Sequence, residues 1–224
     1  MEMPMEPTQR LMEAVRIGNI DTLIGLDPYL LEPIDQVQFA DTPLHVAASR
    51  GLTSFAIKIM SLKPSLARKL NPEGFSPLDL ALRNGYVDTV RKFVRYDCDL
   101  IRVQGKERIT PLHYAVKTDD TDLLAAFLQA CPQSINDLTI QDENAVHISV
   151  KNKRYRAFRV LVGWLQRMDS LEILDSVDEK GNTLLHTAAS TNQPKACSLS
   201  LSLSLSPSPS LLPSLPPCKV NLGK

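Results

Sequence analysis

The sequence lacks an excess of charge of either sign: 25 Lys and Arg face 25 Asp and Glu in 224 residues. That balance withholds the basic surplus of a non-specific nucleic-acid binder and the like-charge surplus of a disordered acidic chain. Cysteines are few, and Cys98, Cys131, Cys197 and Cys218 form no CxxC pair. With no signal peptide in the opening MEMPMEPTQR, a disulfide framework is not expected. No run of about 18 apolar residues occurs, so no segment is expected to span a membrane. The patterns GxxxxGKS/T, GxGxxG and HExxH are missing as well, which leaves phosphate-loop, dinucleotide and zinc-protease chemistry without a foothold. What is present, 43% apolar residues, suffices for a packed core. The expectation is a soluble, reduced, cytoplasmic protein.

Composition shifts near residue 195. Residues 195–224 carry Lys195, Lys219 and Lys224 and no acid, so the preceding body carries a net charge of −3.

The four histidines expose an internal repeat. Each sits in one kind of hexamer: Thr42-Pro-Leu-His45-Val-Ala47, Thr110-Pro-Leu-His113-Tyr-Ala115, Asn144-Ala-Val-His147-Ile-Ser149 and Thr183-Leu-Leu-His186-Thr-Ala188. A fifth copy, Ser76-Pro-Leu-Asp79-Leu-Ala81, has Asp in the His place, and the steps between hexamers are 34, 34, 34 and 39 residues. A second mark recurs in step: Asp27-Pro-Tyr-Leu, Lys63-Pro-Ser-Leu, Asp97-Cys-Asp-Leu and Cys131-Pro-Gln-Ser. Thr or Ser before Pro starts a helix, the hydroxyl capping free N–H groups and Pro being preset for the first turn. Ala47 and Ala81 each stand four residues before a Gly that tolerates positive φ, keeping a short first helix slim and stopping it. Paired apolar positions such as Ile59-Met60, Phe93-Val94 and Phe127-Leu128 then mark a second helix with one packing stripe. Helix, helix and turn at about 33 residues with the T-P-L-H-x-A motif is the ankyrin signature. The fold expected is an all-α ankyrin-repeat solenoid of about four full repeats and a truncated fifth over residues 8–195.

Several phrases are more specific. Phe39-Ala-Asp-Thr-Pro-Leu-His-Val-Ala47, Lys69-Leu-Asn-Pro-Glu-Gly-Phe-Ser-Pro77, Ala130-Cys-Pro-Gln-Ser-Ile135 and Val162-Gly-Trp-Leu-Gln166 resemble the plant ankyrin–transmembrane family, whose members carry a C-terminal PGG domain with membrane helices. The resemblance implies a non-catalytic, cytosolic protein-binding array in defence or stress signalling, tethered in the family but lacking the membrane domain here. It also implies no cofactor and no small-molecule substrate.

After residue 195 the pattern changes to Ala196-Cys-Ser-Leu-Ser-Leu-Ser-Leu-Ser-Leu-Ser206 and a Pro-Ser-Leu stretch. Alternating Leu-Ser is what a (CT)n tract encodes. Residues 196–224 thus read either as translated intron or as a low-complexity, disordered linker, and a nonfunctional splice product is an alternative to a working module. Loss of a fifth second helix is expected to leave Phe158, Leu161 and Trp164-Leu165 partly uncovered, while Arg10, Glu13, Arg16 and Asp21 make the first unit a polar cap.

The histidine ladder does not read as a metal site. Equivalent positions on stacked helices lie roughly 8–10 Å apart, whereas zinc needs ligands about 2 Å from one centre. The resemblance instead gives Thr42, His45, Ser76, Asp79, Thr110, His113, His147, Thr183 and His186 a structural role at the helix starts. Cys98 and Cys131 have no adjacent base for nucleophilic work. Lys151-Asn-Lys-Arg-Tyr-Arg156, continuing to Arg159, is the one basic cluster; it reads as a solvated face or as a patch for anionic lipid or RNA, though the −3 body makes nucleic acid a poor partner. Lys153 and Asp119 replace the usual loop Gly and are expected to distort those loops. Partner contacts, as the resemblance implies, map to finger tips Phe39, Asn71, Glu73, Phe75, Lys106, Glu107, Arg108, Gln141, Asp142, Glu143, Asp178, Glu179 and Lys180, and to first-helix positions Arg50, Arg83, Lys117 and Lys151. The 39-residue step, inserting Met168–Leu174, is expected to lengthen the last finger.

Overall fold

The computed structural model describes residues 31–204 and, ahead of them, residues 12, 13, 15, 17 and 18. Arg10, Arg16 and Asp21 of the expected N-terminal cap, the Asp27-Pro-Tyr-Leu mark, and the chain after Ser204 with Cys218 lie outside the described residues.

Eleven α-helices follow one another, with no β-strand among the described residues. After the short α1 (Glu32–Gln36) come five antiparallel pairs: α2 (Pro43–Ser49) with α3 (Thr53–Leu62), α4 (Pro77–Arg83) with α5 (Val87–Tyr96), α6 (Pro111–Thr118) with α7 (Thr121–Ala130), α8 (Ala145–Lys151) with α9 (Tyr155–Arg167), and α10 (Leu184–Ser190) with α11 (Pro194–Ser204). First helices pack on first helices throughout and second on second from α3 to α9, while α11 packs on its own first helix α10; the linkers from each pair to the next form the fingers. This is the expected repeat solenoid.

Local chemistry sets each pair. Thr42, Ser76, Thr110 and Thr183 close capping boxes with the residue three further on. The slim-helix alanines Ala47, Ala81, Ala115 and Ala188 have no exposed surface, which lets neighbouring first helices approach closely. Second helices bring Phe55, Phe93, Phe127 and Phe158 into one continuous core, so truncating Phe93 to Ala should cost about 3–5 kcal/mol.

Four features differ from the sequence expectation. Asp119 and Lys153 do not distort their loops: both take positive φ, 59° and 56°, as Gly51 and Gly85 do at 68° and 75°. The same closing bonds form, from Gly51 N to the Ala48 oxygen at 3.2 Å and from Lys153 N to the Val150 oxygen at 3.0 Å. The non-glycine residues thus carry backbone strain in place of a changed path.

The long step does not lengthen the last finger. α9 has 13 residues where α3, α5 and α7 have 10, and the rest of the insertion, Met168–Ser170, links it to the 3-10 turn Leu171–Asp175. The finger beyond keeps its size, with Asp178 N bonding the Asn182 oxygen as Asn71 N bonds that of Phe75.

Phe158, Leu161 and Leu165 are fully buried and not uncovered, and Trp164 is half-buried with the Arg167 guanidinium 5.5 Å from its ring. Leu171, Ile173 and Leu174 fold back onto this core. Helix also continues past the composition boundary at residue 195. In α11, Pro194 opens the first turn, Ala196 and Ser200 are buried, and serine hydroxyls bond back along the helix, Ser200 Oγ to the Ala196 oxygen at 2.9 Å and Ser202 Oγ to that of Leu199 at 2.8 Å. Leu favours helix, and back-bonding lets Ser remain in one.

Candidate functional site

The histidines work at the helix starts. Thr42 N donates to His45 Nδ1 at 3.2 Å, and since an amide can only donate, Nδ1 is the bare nitrogen and Nε2 carries the proton. Nε2 then donates to the Phe75 oxygen of the next finger at 3.1 Å. His113 repeats this, accepting from Thr110 N at 3.2 Å and donating to the Asp137 oxygen at 3.2 Å. Burial lowers the pKa of both, that of His113 to about 4, so both are neutral at physiological pH. Asp79 keeps only the cap, taking Ser76 N at 3.0 Å and Ser76 Oγ at 2.8 Å; burial raises its pKa. His186, in the last pair, is exposed but still meets Thr183 Oγ1 at 2.8 Å. Among the described residues no group of His, Cys, Asp and Glu is arranged to hold a metal ion.

The four fingers from Asn71 onward form one hydrogen-bonded row. Lys106 N donates to the Gly74 oxygen at 2.9 Å, Ile140 N to that of Glu107 at 3.1 Å, and Glu179 N to that of Gln141 at 2.9 Å. Side chains at the finger bases staple the turns: Asn71 Oδ1 accepts from Glu73 N and Phe75 N, Thr139 Oγ1 from Gln141 N and Glu143 N, and Asp178 Oδ1 from Lys180 N and Asn182 N. The finger at Gly105 has no such staple and places both Glu107 and Arg108 at positive φ.

The expected contact residues therefore divide. Phe39 is 61% exposed at φ 52°, and Glu73, Lys106, Glu107, Arg108, Gln141, Asp142, Glu179 and Lys180 are exposed along the row. Asn71 and Glu143, expected at the tips, are instead buried, the first as a staple and the second in an ion pair with Lys151 at 2.6 Å. Asp178 is half-buried as the last staple. On the first-helix face Arg50 and Arg83 are exposed, Lys117 is half-buried, and Lys151 is engaged by Glu143 and Gln141. The basic cluster is divided: Lys151 turns to the finger, whereas Arg156 reaches Thr121 Oγ1 at 3.4 Å at the start of α7.

Two groups were missed. Val37, Ile140 and Val177 add exposed apolar surface to the fingers beside Phe39. Tyr114 joins Phe75 in flanking Arg83, with the guanidinium carbon 4.1 Å from the Phe75 ring centre and 5.0 Å from that of Tyr114. An aromatic on the open face of α6, four residues after its cap, was the available signal. The arrangement offers a rigid, partly apolar edge and a stacked cation.

Comparison with known proteins agrees with this geometry. The pattern described as "Ankyrin repeats (3 copies)" matches residues 11–104 and 112–202. The chain is 41% identical over 194 residues to the ankyrin repeat-containing protein BDA1 of Arabidopsis thaliana, covering 83% of this chain and 46% of that protein. It is 30% identical over 119 residues to alpha-latrotoxin-Lh1a of Latrodectus hasselti, covering 51% of this chain and 9% of the toxin. The chain thus spans under half the length of either relative. No helix among the described residues is long and apolar enough to cross a membrane. With its motifs, helix pairs and finger row in register, the chain belongs to the ankyrin-repeat family, whose arrays are protein–protein interaction modules.

Proposed function

We propose that this chain is a non-catalytic interaction module of plant defence or stress signalling, of the ankyrin–transmembrane kind its sequence resembles, engaging a protein partner on the cytosolic side. One observation carries the reading: the four fingers from Asn71 to Asn182 are locked to one another by main-chain hydrogen bonds and keep Ile140 and Val177 exposed, while Phe39 and Val37 add apolar surface on the preceding loop, which Lys69 Nζ ties at the Val37 oxygen and Asn71 Nδ2 ties at Asp41. A preordered edge loses little entropy on binding, and exposed apolar anchors supply contact area. The likeness to a plant ankyrin-repeat protein supports the signalling context.

Proximity labelling in plant cells tests it, comparing the wild-type chain with a Phe39→Ser, Lys106→Glu variant, with and without a defence elicitor. The expected result is a set of cytosolic proteins labelled by the wild type, lost in the variant and changed by the elicitor. Identical labelling by both chains, indifferent to elicitor, overturns the reading.

A further inference from the structure

Arg83 closes α4 and is exposed, yet it is not loose. Its guanidinium lies 4.1 Å over the Phe75 ring and 5.0 Å from the Tyr114 ring, so residues from two successive repeats hold it. Cation–π stacking fixes the plane without using the N–H edge. Arg83 forms no hydrogen bond with any described residue. The acid acting on it, Asp79 one turn earlier, has its Oδ2 occupied by Ser76 N and Oγ. A planar, preset, unspent fork is matched to a carboxylate, which it can grip at two points.

The neighbouring repeats sharpen the assignment. Lys117 stands in the register of Arg83 one repeat on, and Lys151 one further, but Lys151 is spent on Glu143 and Gln141. The two available cations, one repeat apart, stand on first helices whose axes lie roughly 8–10 Å from one another. That distance suits two carboxylates along an extended chain better than one phosphate, which draws cations together.

We propose that Arg83, clasped between Phe75 and Tyr114, receives a carboxylate from an acidic segment of a partner protein, with Lys117 taking a second acidic side chain. The inference rests on the protein-binding reading above and names the partner's chemistry.

The test uses the full chain against an array of random-sequence peptides, each printed with Glu, with Gln and with phosphoserine at its acidic positions. Bound peptides are then titrated by fluorescence anisotropy. The Glu form is expected to bind and the Gln form to lose on the order of tenfold in affinity. R83Q and R83K should each lose about as much, because Lys keeps the charge but not the fork, and R95Q on α5 should bind as the wild type does. Far-UV circular dichroism and melting show that each variant is folded. R83K binding like the wild type overturns the fork, and phosphoserine peptides outbinding their Glu forms overturn the carboxylate. Peptides that bind independently of Arg83 overturn this inference while leaving the interaction module standing. An array with no Arg83-dependent spot overturns it too.

Discussion

His147 Nδ1 lies 2.9 Å from Asn144 Oδ1, and that contact reverses the imidazole's proton relative to the other repeats. Asn144 Oδ1 also accepts from Val146 N and His147 N at 3.0 Å each, so its orientation is set by two amides and Nδ1 must donate to it. Nε2 of the neutral ring is then bare. It is buried with no hydrogen-bond partner, facing Ser176 and Asn182 main-chain groups without bonding geometry to either. Nitrogen-15 chemical shifts should report Nδ1–H for His147 and Nε2–H for His45 and His113. Asn144→Thr should move the proton to Nε2, as in the Thr–His repeats, and because it also gives up the Asn144 Nδ2 bonds to Ser176 Oγ at 2.8 Å and to the Ile173 oxygen at 3.4 Å, it should bring no gain in stability. One tautomer for all three histidines, or a His147 proton that stays on Nδ1 in Asn144→Thr, contradicts the assignment.

Stability should fall as the pH drops below that of ordinary histidine. The folded pKa of His113 is lowered to about 4 from 6.5, by burial first, against the opposing bond to the Asp137 oxygen and together with the Lys117 charge. Below 6.5 the unfolded chain takes up a proton that the folded one refuses. The His113 contribution is therefore complete above 6.5, lost between 6.5 and about 4, and flat below, at up to about 1.4 kcal/mol per pH unit. Asp79 acts in the opposite sense, since its raised pKa makes the fold gain relative stability as acid protonates it. Comparing urea midpoints of wild type and His113→Gln from pH 7 to pH 4.5 separates the two. The difference between the curves should shrink with acid, and parallel curves contradict the account.

Two loop residues in the same backbone conformation should respond differently to glycine. Lys153 is exposed at φ 56° and bonds no described residue through its side chain, so Lys153→Gly relieves left-handed strain of about 1–2 kcal/mol against a glycine entropy cost of about 0.5–1. A net gain of about 0.5–1 kcal/mol is expected. Asp119 at φ 59° accepts from Ala157 N at 2.9 Å, capping α9 of the next repeat. Asp119→Gly forfeits that cap, worth about 1 kcal/mol, and should bring no gain, while Asp119→Ala loses the cap, keeps the strain and should be the worst of the three. Denaturant titration of the variants decides the order.

The parts of the fold legible in the sequence were those with local causes. Capping pairs such as Thr42 with His45 and Ser76 with Asp79 are three residues apart, so the helix starts could be read directly. The extra residues after Asn144 were visible as length, but length does not say whether they extend α9 or a finger. The Leu-Ser run was read by composition alone, which overlooks hydroxyls such as Ser200 Oγ satisfied within a helix. At the candidate site, Phe39 and Lys106 were legible as exposed finger positions, whereas Asn71 turned inward because its amide is what closes the finger. The Phe75–Arg83–Tyr114 stack joins two repeats, and no single repeat's pattern contains it.

Gly105 tests whether the finger row is as tightly locked as its hydrogen bonds indicate. A Cβ there would lie 2.8 Å from the Gly74 oxygen, which accepts from Lys106 N, and 3.4 Å from Asp79 Oδ2 and the Ile109 oxygen. The nearest obstacle is main chain and cannot swing aside as a side chain would. φ at Gly105 is −87°, so the close approach and not the backbone conformation excludes a larger residue. Gly105→Ala must part the two fingers, at about 1–3 kcal/mol for an overpacked site, and faster amide exchange at Lys106 should report the broken bond to Gly74. Gly74→Ala strains φ 83° and meets Lys106 Cβ at 3.1 Å, so it should weaken the same junction by a second route. An alanine at 105 that leaves both melting temperature and Lys106 exchange unchanged means that the fingers slide freely. The edge would then be assembled on binding, and the entropy argument for a preordered surface would fall with it.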